Sequence, residues 1–387
     1  MYNILTLNKI AAYGTDLFDD KYTCTSSCDA PDAIMVRSAS LHEMELPASL
    51  RAVARAGAGV NNIPIDKCSE LGIVVFNTPG ANANAVKELV VAGLLLSSRK
   101  VVEGITWAKG LKGKGDEVGK LVEKGKGEFG GPEIKGKTLG VVGLGAIGVL
   151  VANAAMSLGM NVVGIDPFLS VDAALKLSRS VKLAKGLKEV LECSDYITLH
   201  IPLTPETRGF INANAIASMK NDVRILNFSR AELVNDADLL EALGSGKVGG
   251  YVTDFPTDAV IDVDRVIAIP HLGASTPESE DNCAEMAAKE LIEFFENGSI
   301  INSVNFPNIE IARAGDALIC VIHRNVPTVL SQISSTVAAE GVNIENMESK
   351  SKKDYAYTVL DITGTVSEES ISAIRAIDGV IRVWTIK

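Results

Sequence analysis

Two side chains suited to acid–base chemistry, Arg230 and His271, each come directly after a short apolar run that predicts a buried strand. In an open α/β sheet, ligands bind beyond the carboxyl ends of the strands, so both side chains are expected to face a binding region. The planar guanidinium of an arginine can hold a carboxylate and polarise a carbonyl. A histidine imidazole titrates near neutral pH and can exchange a proton with a hydroxyl. Together they predict hydride transfer at a hydroxy acid.

A glycine-rich turn between two predicted strands indicates a dinucleotide site. Gly143, Gly145 and Gly148 come after the strand predicted over Thr138–Val142, and a helical run and a second strand then lead to Asp166. Such glycines allow a tight turn, close approach of a pyrophosphate and packing of the helix on the strand, while the helix N-terminus offers free N–H groups to phosphate. Asp166 could accept hydrogen bonds from ribose hydroxyls and would repel a 2′-phosphate. NAD is therefore predicted as the cofactor, rather than NADP.

The elements that would position these residues alternate between short apolar runs and helical patterns, which favours parallel sheets covered by helices. In the first part of the chain the predicted strands are Ile4–Leu7, Ala33–Val36, Ala52–Arg55 and Ile73–Phe76. In the second they are Thr138–Val142, Asn161–Ile165, Tyr196–His200, Arg224–Phe228, Gly250–Val252 and Val266–Ile269, before a helix over about Pro277–Asn297. Residues 104–137, rich in Gly and Lys, predict a solvated connection or an amphipathic helix around Asp116–Lys124.

The last seventy or so residues show a strand–helix–strand–strand–helix–strand order, which predicts a ferredoxin-like module. Its strands are predicted over Ala317–Ile322, Val342–Lys350, Tyr355–Ile362 and Val380–Thr385, and its helices over Pro327–Glu340 and Glu368–Ala376. The expected fold class is α/β, with two Rossmann-like doubly wound parallel-sheet domains and a C-terminal ferredoxin-like α+β domain.

Composition narrows the function classes. The net charge of −11 argues against wholesale binding of nucleic acid or a membrane surface. The six cysteines are scattered and complete no zinc pattern, so we expect reduced thiols, no metal and a cytoplasmic location. The N-terminal stretch lacks the features of a signal peptide, and the longest apolar run, Leu89–Leu96, is too short to span a bilayer.

Five segments together resemble the D-2-hydroxyacid dehydrogenases, and within them the members that use phosphoglycerate; the resemblance covers nearly the whole chain. They are Asn77–Asn82 with Val86–Val90, Gly143–Gly148, His200–Gly209, Asn227–Arg230 and Pro270–Thr276. The resemblance implies that Arg230 binds the substrate carboxylate and that His271 is the acid/base. The family usually pairs this histidine with a glutamate; here the matching position is Asp258, and Asp254 competes with it for contacts near the nicotinamide.

The resemblance also implies the binding residues. Those expected to hold NAD are Gly143, Gly145, Ala146, Ile147, Gly148, Asp166, His200, Ile201, Pro202, Thr207, Phe228, Ser229, Arg230, Asp254, His271, Gly273 and Ala274. Those expected to hold the substrate are Arg37, Ser38, Ala58, Gly59, Val60 and Asn82. In this set Arg37 and Ser38 match the positions that hold a distal phosphate, and the Gly57–Val60 segment resembles a backbone cradle for the carboxylate.

The C-terminal module resembles an ACT regulatory domain. His323, Asn325 and Asn343 match positions that bind L-serine between paired modules, although Thr328 stands where a glycine is usual. The alternative is a dimerisation module that binds no ligand. The expected division is a substrate-binding domain (1–95 and 278–303), an NAD-binding domain (96–277), a linker (304–316) and the regulatory domain (317–387).

The function implied is NAD-dependent oxidation of 3-phospho-D-glycerate to 3-phosphohydroxypyruvate, at the entry to L-serine biosynthesis, by a homodimer or homotetramer. Two alternatives stay open. One is a reductase of glyoxylate, hydroxypyruvate or another 2-keto acid, against which Arg37 and the C-terminal module argue. The other is a non-catalytic, NAD-sensing corepressor, which Arg230 and His271 make less favoured.

Overall fold

The computed structural model describes residues 1–387 and forms three sheets. The strands are β1 (Tyr2–Leu7), β2 (Tyr22–Thr25), β3 (Ala33–Val36), β4 (Ala52–Arg55), β5 (Val74–Asn77), β6 (Thr138–Val142), β7 (Asn161–Ile165), β8 (Lys182–Leu183), β9 (Tyr196–Leu199), β10 (Val223–Asn227), β11 (Val248–Thr253), β12 (Val266–Ala268), β13 (Ala317–Arg324), β14 (Asn343–Lys352), β15 (Tyr355–Thr363) and β16 (Val380–Ile386). The α-helices are α1 (Ala12–Thr15), α2 (Ile65–Glu70), α3 (Ala83–Ser98), α4 (Val101–Lys109), α5 (Val118–Gly125), α6 (Ala146–Ser157), α7 (Val171–Lys176), α8 (Leu187–Cys193), α9 (Ala213–Ser218), α10 (Asp236–Ser245), α11 (Pro277–Asn297), α12 (Val329–Ala339) and α13 (Glu368–Arg375).

The chain divides into two compact units, one of residues 1–82 with 277–387 and one of residues 83–276. The expected fold class is confirmed: two parallel sheets and one antiparallel sheet are present. The four-part division of the chain stays a prediction. No helix is long and apolar enough to cross a membrane.

The first unit begins with a five-stranded parallel sheet in the order β2-β1-β3-β4-β5. Strands β3 and β4 are predicted with their observed bounds, because both are short, almost wholly buried apolar runs. Strand β2 is missed. Its sequence, Tyr-Thr-Cys-Thr, is largely exposed at the sheet edge, and pairing with β1 makes it a strand.

The same unit contains a four-stranded antiparallel sheet in the order β14-β15-β13-β16, the ferredoxin-like order expected. One face packs on α12 and α13. The opposite face shares a buried apolar core with α11 and the first sheet, in which Trp384 contacts Phe294 and the Tyr357 hydroxyl donates to the Gly298 carbonyl at 2.7 Å. Arg382 donates to the Leu50 carbonyl at 2.6 Å. The module is therefore built into the core of this unit.

The second unit carries a seven-stranded parallel sheet in the order β12-β11-β10-β9-β6-β7-β8. The direction of strand succession reverses between β6 and β9, which makes this the switch point where such sheets bind ligands. Asp166, His200 and Asp254 come directly after β7, β9 and β11, so all three lie at the carboxyl edge.

The lysine- and glycine-rich segment forms α4, α5 and two short 3-10 helices, Gly115–Glu117 and Lys126–Phe129. The alternative of an amphipathic helix near Asp116–Lys124 matches α5, none of whose residues is buried. The ring of Trp107 packs on that of Phe129 at 5.3 Å, which holds the two ends of the segment together.

Candidate active site

The turn between β6 and α6 has room for a phosphate at one glycine and none at the other two. Gly143 has φ +93°, and a Cβ there would meet the His200 carbonyl oxygen at 2.4 Å. A Cβ on Gly148 would meet the Gly143 carbonyl oxygen at 1.9 Å, so this glycine lets the helix pack on the turn. A Cβ on Gly145 would meet nothing within 4 Å. The open face of the turn is therefore at Gly145.

The N-terminus of α6 offers unused N–H groups at this open face. The first helical bond runs from the Val149 amide to the Gly145 carbonyl at 3.1 Å, so the amides of Ala146, Ile147 and Gly148 have no helical partner. Gly145 and Ala146 are exposed. Free amides and the helix dipole suit a pyrophosphate, and the turn fits the predicted dinucleotide.

Asp166 is anchored where a ribose would lie in such a site. One carboxylate oxygen accepts from the Leu144 amide at 2.8 Å and the other from the Phe168 amide at 2.8 Å. Each oxygen keeps a lone pair, because a carboxylate has about four acceptor positions. Asp166 is therefore held rigidly and can still accept from two hydroxyls.

The end of β10 presents Arg230 through a network of its neighbours. The Asn227 side chain donates to the Arg230 carbonyl at 2.8 Å and accepts from the Ser229 amide at 3.2 Å. The Ser229 hydroxyl donates to the Leu199 carbonyl at 2.8 Å. The Arg230 guanidinium donates to the Ser229 carbonyl at 2.6 Å and lies 5.0 Å from the centre of the Phe255 ring.

His271 lies against the same aromatic ring. Its imidazole centre is 4.3 Å from the centre of the Phe255 ring. Because the Arg230 guanidinium is 5.0 Å from the same ring centre, the sum of these two distances is the largest possible separation of the imidazole and the guanidinium. The His271 ring is exposed, its backbone has φ +21°, and its amide donates to the Asp254 carbonyl at 3.0 Å. The structure thus brings Arg230 and His271 to one place.

Asp254 lies close to both groups and is only 1% exposed. One of its oxygens accepts from the Gly273 amide at 3.2 Å, and the other, Oδ1, is buried without a protein partner. Burial raises the pKa of Asp254, while the positive charges of His271 and Arg230 oppose that rise. A buried carboxylate with one unpartnered oxygen, close to an arginine and a histidine, is typical of a functional site.

Asp258 makes no hydrogen bond or ion pair with His271. Asp258 is exposed and makes no hydrogen bond or ion pair. Beside it, the Thr257 hydroxyl donates to Asp236 at 2.7 Å, and a turn closes from the Val260 amide to the Thr257 carbonyl. The expected pairing of Asp258 with His271 therefore stays a prediction, and Asp254 is the carboxylate whose backbone the structure places in contact with His271.

The remaining residues predicted for the cofactor surround the carboxyl edge. His200 donates its amide to the Val142 carbonyl, its Nε2 pairs with the Thr198 hydroxyl at 2.9 Å, and its Nδ1 is buried without a partner. Burial lowers the pKa of His200 to about 4, so its ring is neutral at neutral pH.

The Thr207 hydroxyl donates to the Pro202 carbonyl at 2.7 Å and is thus used within its own loop. Near them lie Ile201, which a Cβ on Gly143 would touch, the buried Phe228, and Gly273 with the partly exposed Ala274.

In the first unit, Arg37 and Ser38 come after β3 as expected. The Arg37 guanidinium pairs with Glu280 at 2.7 Å. The Ser38 amide donates to the Asn8 side chain at 3.0 Å, and Asn8 has φ +68°. Arg37 therefore has a carboxylate partner that an incoming anion would have to displace or share.

The predicted backbone cradle has free donors. The amides of Ala58, Gly59 and Val60 donate to no protein acceptor, whereas the Ala58 carbonyl accepts from the Asn77 side chain at 2.6 Å. Consecutive free amides form an anion-binding concavity. The side chain of Asn82, in the loop before α3, makes no hydrogen bond.

Sequence reasoning missed Arg55. Its Nη1 lies 1.5 Å from where a Cβ on Gly57 would stand, and its Nε donates to the Arg37 carbonyl at 3.2 Å. Arg55 ends β4 beside Val36, the last residue of β3, so the two arginines come from neighbouring strand ends. That shared position at a strand end was the only signal in the sequence.

The residues predicted for regulation do not meet within one chain. Asn343 begins β14, which pairs through Thr363 with the end of β15, whereas His323 and Asn325 lie at the other end of the sheet. His323 is buried, and its ring nitrogens contact the Arg324 carbonyl at 2.8 Å and the Thr358 hydroxyl at 2.9 Å. Both ring positions are therefore already occupied.

Comparison with known families matches two parts of the chain. The family model for the NAD binding domain of D-isomer specific 2-hydroxyacid dehydrogenases matches residues 92–273. The model for the AHAS small subunit-like ACT domain matches residues 319–382.

Several curated relatives carry the name D-3-phosphoglycerate dehydrogenase. That of Escherichia coli (strain K12) is 33% identical over 337 residues, which cover 84% of this chain and 78% of the relative. That of Bacillus subtilis (strain 168) is 37% identical over 285 residues, which cover 71% of this chain. The chain spans about half the length of the Bacillus subtilis relative, with 52% of it covered.

Solved structures share the fold. The NAD+-bound 3-phosphoglycerate dehydrogenase of Entamoeba histolytica has a TM-score of 0.61 at 28% identity, covering 79% of this chain and 98% of that one. A glyoxylate/hydroxypyruvate reductase of Sinorhizobium meliloti has a TM-score of 0.67 at 20% identity, covering 79% of this chain and 98% of that one; it shows the fold alone.

Proposed function

Because this chain belongs to the D-isomer specific 2-hydroxyacid dehydrogenase family, we propose that it oxidises 3-phospho-D-glycerate to 3-phosphohydroxypyruvate with NAD, the entry step of L-serine biosynthesis. The observation that carries the proposal is the packing of Arg230 and His271 on one ring, that of Phe255. The substrate class rests on the names of the relatives and on the arginines of the first unit.

Each group of site residues has a separate role in the proposed oxidation. The Gly143–Gly148 turn holds the pyrophosphate of NAD and Asp166 holds its adenosine ribose. NAD held there would supply the acceptor for the hydride of the substrate C2. Arg230 binds the substrate carboxylate and polarises the C2 oxygen. His271 takes the proton of the C2 hydroxyl.

Asp254 takes the part that the family resemblance assigns to Asp258. As a charged carboxylate it would stabilise the cationic imidazole that forms when His271 accepts a proton. It acts through His271 and Arg230, so it is a positioning residue. Its backbone carbonyl already fixes the His271 amide.

For the substrate end, we propose that Arg37 and Ser38 bind the distal phosphate and that the amides of Ala58, Gly59 and Val60 bind a carboxylate. Asn82, which also belongs to the first unit, is proposed as a further substrate-binding residue. Arg55 adds positive charge over Gly57. The support is chemical: two guanidinium groups and three free amides collect at neighbouring strand ends of a protein whose net charge is −11.

The test is NADH formation by the purified protein with 3-phospho-D-glycerate against D-glycerate, and with both 2-keto acids in the reverse direction. We expect turnover of the phosphorylated pair and a KM at least tenfold higher for the unphosphorylated one. Arg37→Gln should raise the KM for 3-phospho-D-glycerate and leave that for D-glycerate unchanged. Equal use of both substrates would favour a simple 2-keto-acid reductase, and NAD binding without any turnover would favour a sensing role.

Two finer proposals concern assembly and regulation in the cytoplasm. Val101, Val102 and Ile105 of α4 expose apolar side chains on one short helix, and we propose that this face pairs two copies of the chain. Light scattering of Ile105→Glu should then show monomers.

L-serine, if it inhibits, must bind between two copies, because Asn325 and Asn343 lie at opposite ends of one sheet; Asn343→Ala should abolish that inhibition.

A further inference from the structure

A cavity of about 440 Å³ lies in the first unit, beside α11, and none of the residues proposed to bind cofactor or substrate lines it. The loop around Gly80–Ala81 and the segment Ile301–Asn302 form its other walls. Its volume falls within the range of small-molecule sites, about 300–1,000 Å³. From α11 it is lined by Asn282, Glu285, Met286, Lys289, Glu290 and Glu293.

Glu290 is the unusual member of this lining. The residue is only 4% exposed. Its Oε1 accepts from the Asn302 side chain at 2.8 Å, and Asn302 is held at φ +58°. Its Oε2 is buried and has no partner. A buried polar atom without a partner costs about 1–3 kcal/mol, so this oxygen points to a missing donor.

Neither protonation state of Glu290 gives its Oε2 a hydrogen-bond partner within the protein. A charged Oε2 has no donor to accept from, and a protonated Oε2 has no acceptor to donate to. Burial raises the pKa of Glu290 to about 8, against which the Asn302 hydrogen bond acts only partly. A ligand that brings an N–H group, and with it a positive charge, would satisfy the oxygen and favour the charged carboxylate.

The other charges of the cavity suit the same ligand. Lys289 is engaged by Glu285 at 2.5 Å, and one Glu293 oxygen accepts from Asn297 at 2.8 Å. Lys289 is the only basic residue of the lining, so its pairing leaves no free positive charge there to repel an ammonium ion. Met286 and Ile301 supply an apolar part of the wall.

We propose that this cavity binds a small organic ammonium compound, an amine or amino acid with a short apolar body, whose N–H group donates to Glu290 Oε2. The site is independent of the proposed oxidoreduction. It is lined by residues 80–81 and by α11 from Asn282 to Glu293, all within the first unit.

The experiment is isothermal titration calorimetry of the full chain at pH 7 with n-propylammonium chloride, against sodium chloride at equal ionic strength. We expect saturable binding of the ammonium ion only. Repeating the titration in buffers of different ionisation enthalpy should show proton release, since the ligand ionises a carboxyl whose pKa is about 8.

Three variants locate the site. Glu290→Gln keeps the acceptor for Asn302 but loses the charge, and should weaken binding at least tenfold and abolish proton release. Met286→Trp fills the cavity without touching the carboxyl and should also block binding. Glu293→Gln is the matched control, because it removes a lining charge that already has a partner, and should change affinity less than threefold. Equal binding by Glu290→Gln, binding without proton release, or no binding beyond that of sodium would overturn the proposal.

Discussion

The glycine turn allows cofactor binding to be separated from folding by two alanine substitutions three residues apart. At Gly145 the backbone has φ −74°, which alanine adopts readily, and the added Cβ would meet nothing within 4 Å. The free energy of unfolding should therefore be unchanged or rise by about 0.4–1 kcal/mol. The methyl group would occupy the open face at which we place the pyrophosphate.

The magnitude for Gly145→Ala is set by the hydrogen bonds that it blocks. Displacing one phosphate oxygen from one helix amide removes a hydrogen bond to a charged group, about 1.5–3 kcal/mol, which weakens NAD binding roughly tenfold to a hundredfold. At Gly148 the Cβ would stand 1.9 Å from the Gly143 carbonyl oxygen, so turn and helix must separate. Overpacking of this kind costs about 3 kcal/mol and lowers Tm by roughly 6–12 °C.

Both variants are measured by thermal unfolding without NAD and by calorimetric titration with NAD. We expect Gly145→Ala to keep its Tm and lose affinity, and Gly148→Ala to lose Tm. If Gly145→Ala binds NAD as tightly as the unaltered chain, the pyrophosphate does not lie at this turn and the cofactor assignment fails.

Four other substitutions, grouped in three tests, probe particular contacts. Asp254→Asn should lower kcat/KM for 3-phospho-D-glycerate roughly tenfold, about 1.4 kcal/mol, whereas the exposed Asp258→Asn should change it less than twofold; the reverse order in steady-state assays would restore Asp258 as the partner of His271. Thr328 is β-branched and held at φ +75°, so Thr328→Gly should raise the free energy of unfolding by about 1 kcal/mol in urea titrations, and a loss of stability would show that its hydroxyl contacts matter more. The pKa of His200 falls to about 4 in the folded chain from an ordinary 6.5, so the unfolded chain binds a proton first and stability should fall as pH drops from 6.5 towards 4; His200→Gln should show a smaller fall over that window, and parallel curves would refute the assignment.

Much of the fold is predictable from local pattern. Strands β3, β4, β6 and β7 and helix α11 have the bounds predicted for them, because buried parallel strands appear as short apolar runs and an amphipathic helix repeats every 3.6 residues. The edge strand β2 escapes this pattern, since only Tyr22 of its four residues is buried and its pairing with β1 makes it a strand.

The glycines and Asp166 of the predicted dinucleotide turn could also be found from the local sequence. Backbone constraints act over a few residues, and each glycine of the turn is required by one such constraint. Arg230 and His271 could be found because each lies just past the end of a strand. The residue at a strand end can be read from the local sequence, and the parallel sheet converts that position into proximity.

Partners between distant segments were decided only by the tertiary structure. Asp254 lies by His271, Arg37 meets Glu280, and Glu290 keeps an unpartnered oxygen. These outcomes depend on how a loop turns and on which side chains packing brings together, since a hydrogen bond is made or lost over about an ångström. Residue types and spacing determined which chemistry this chain can carry, and packing determined which carboxylates take part in it.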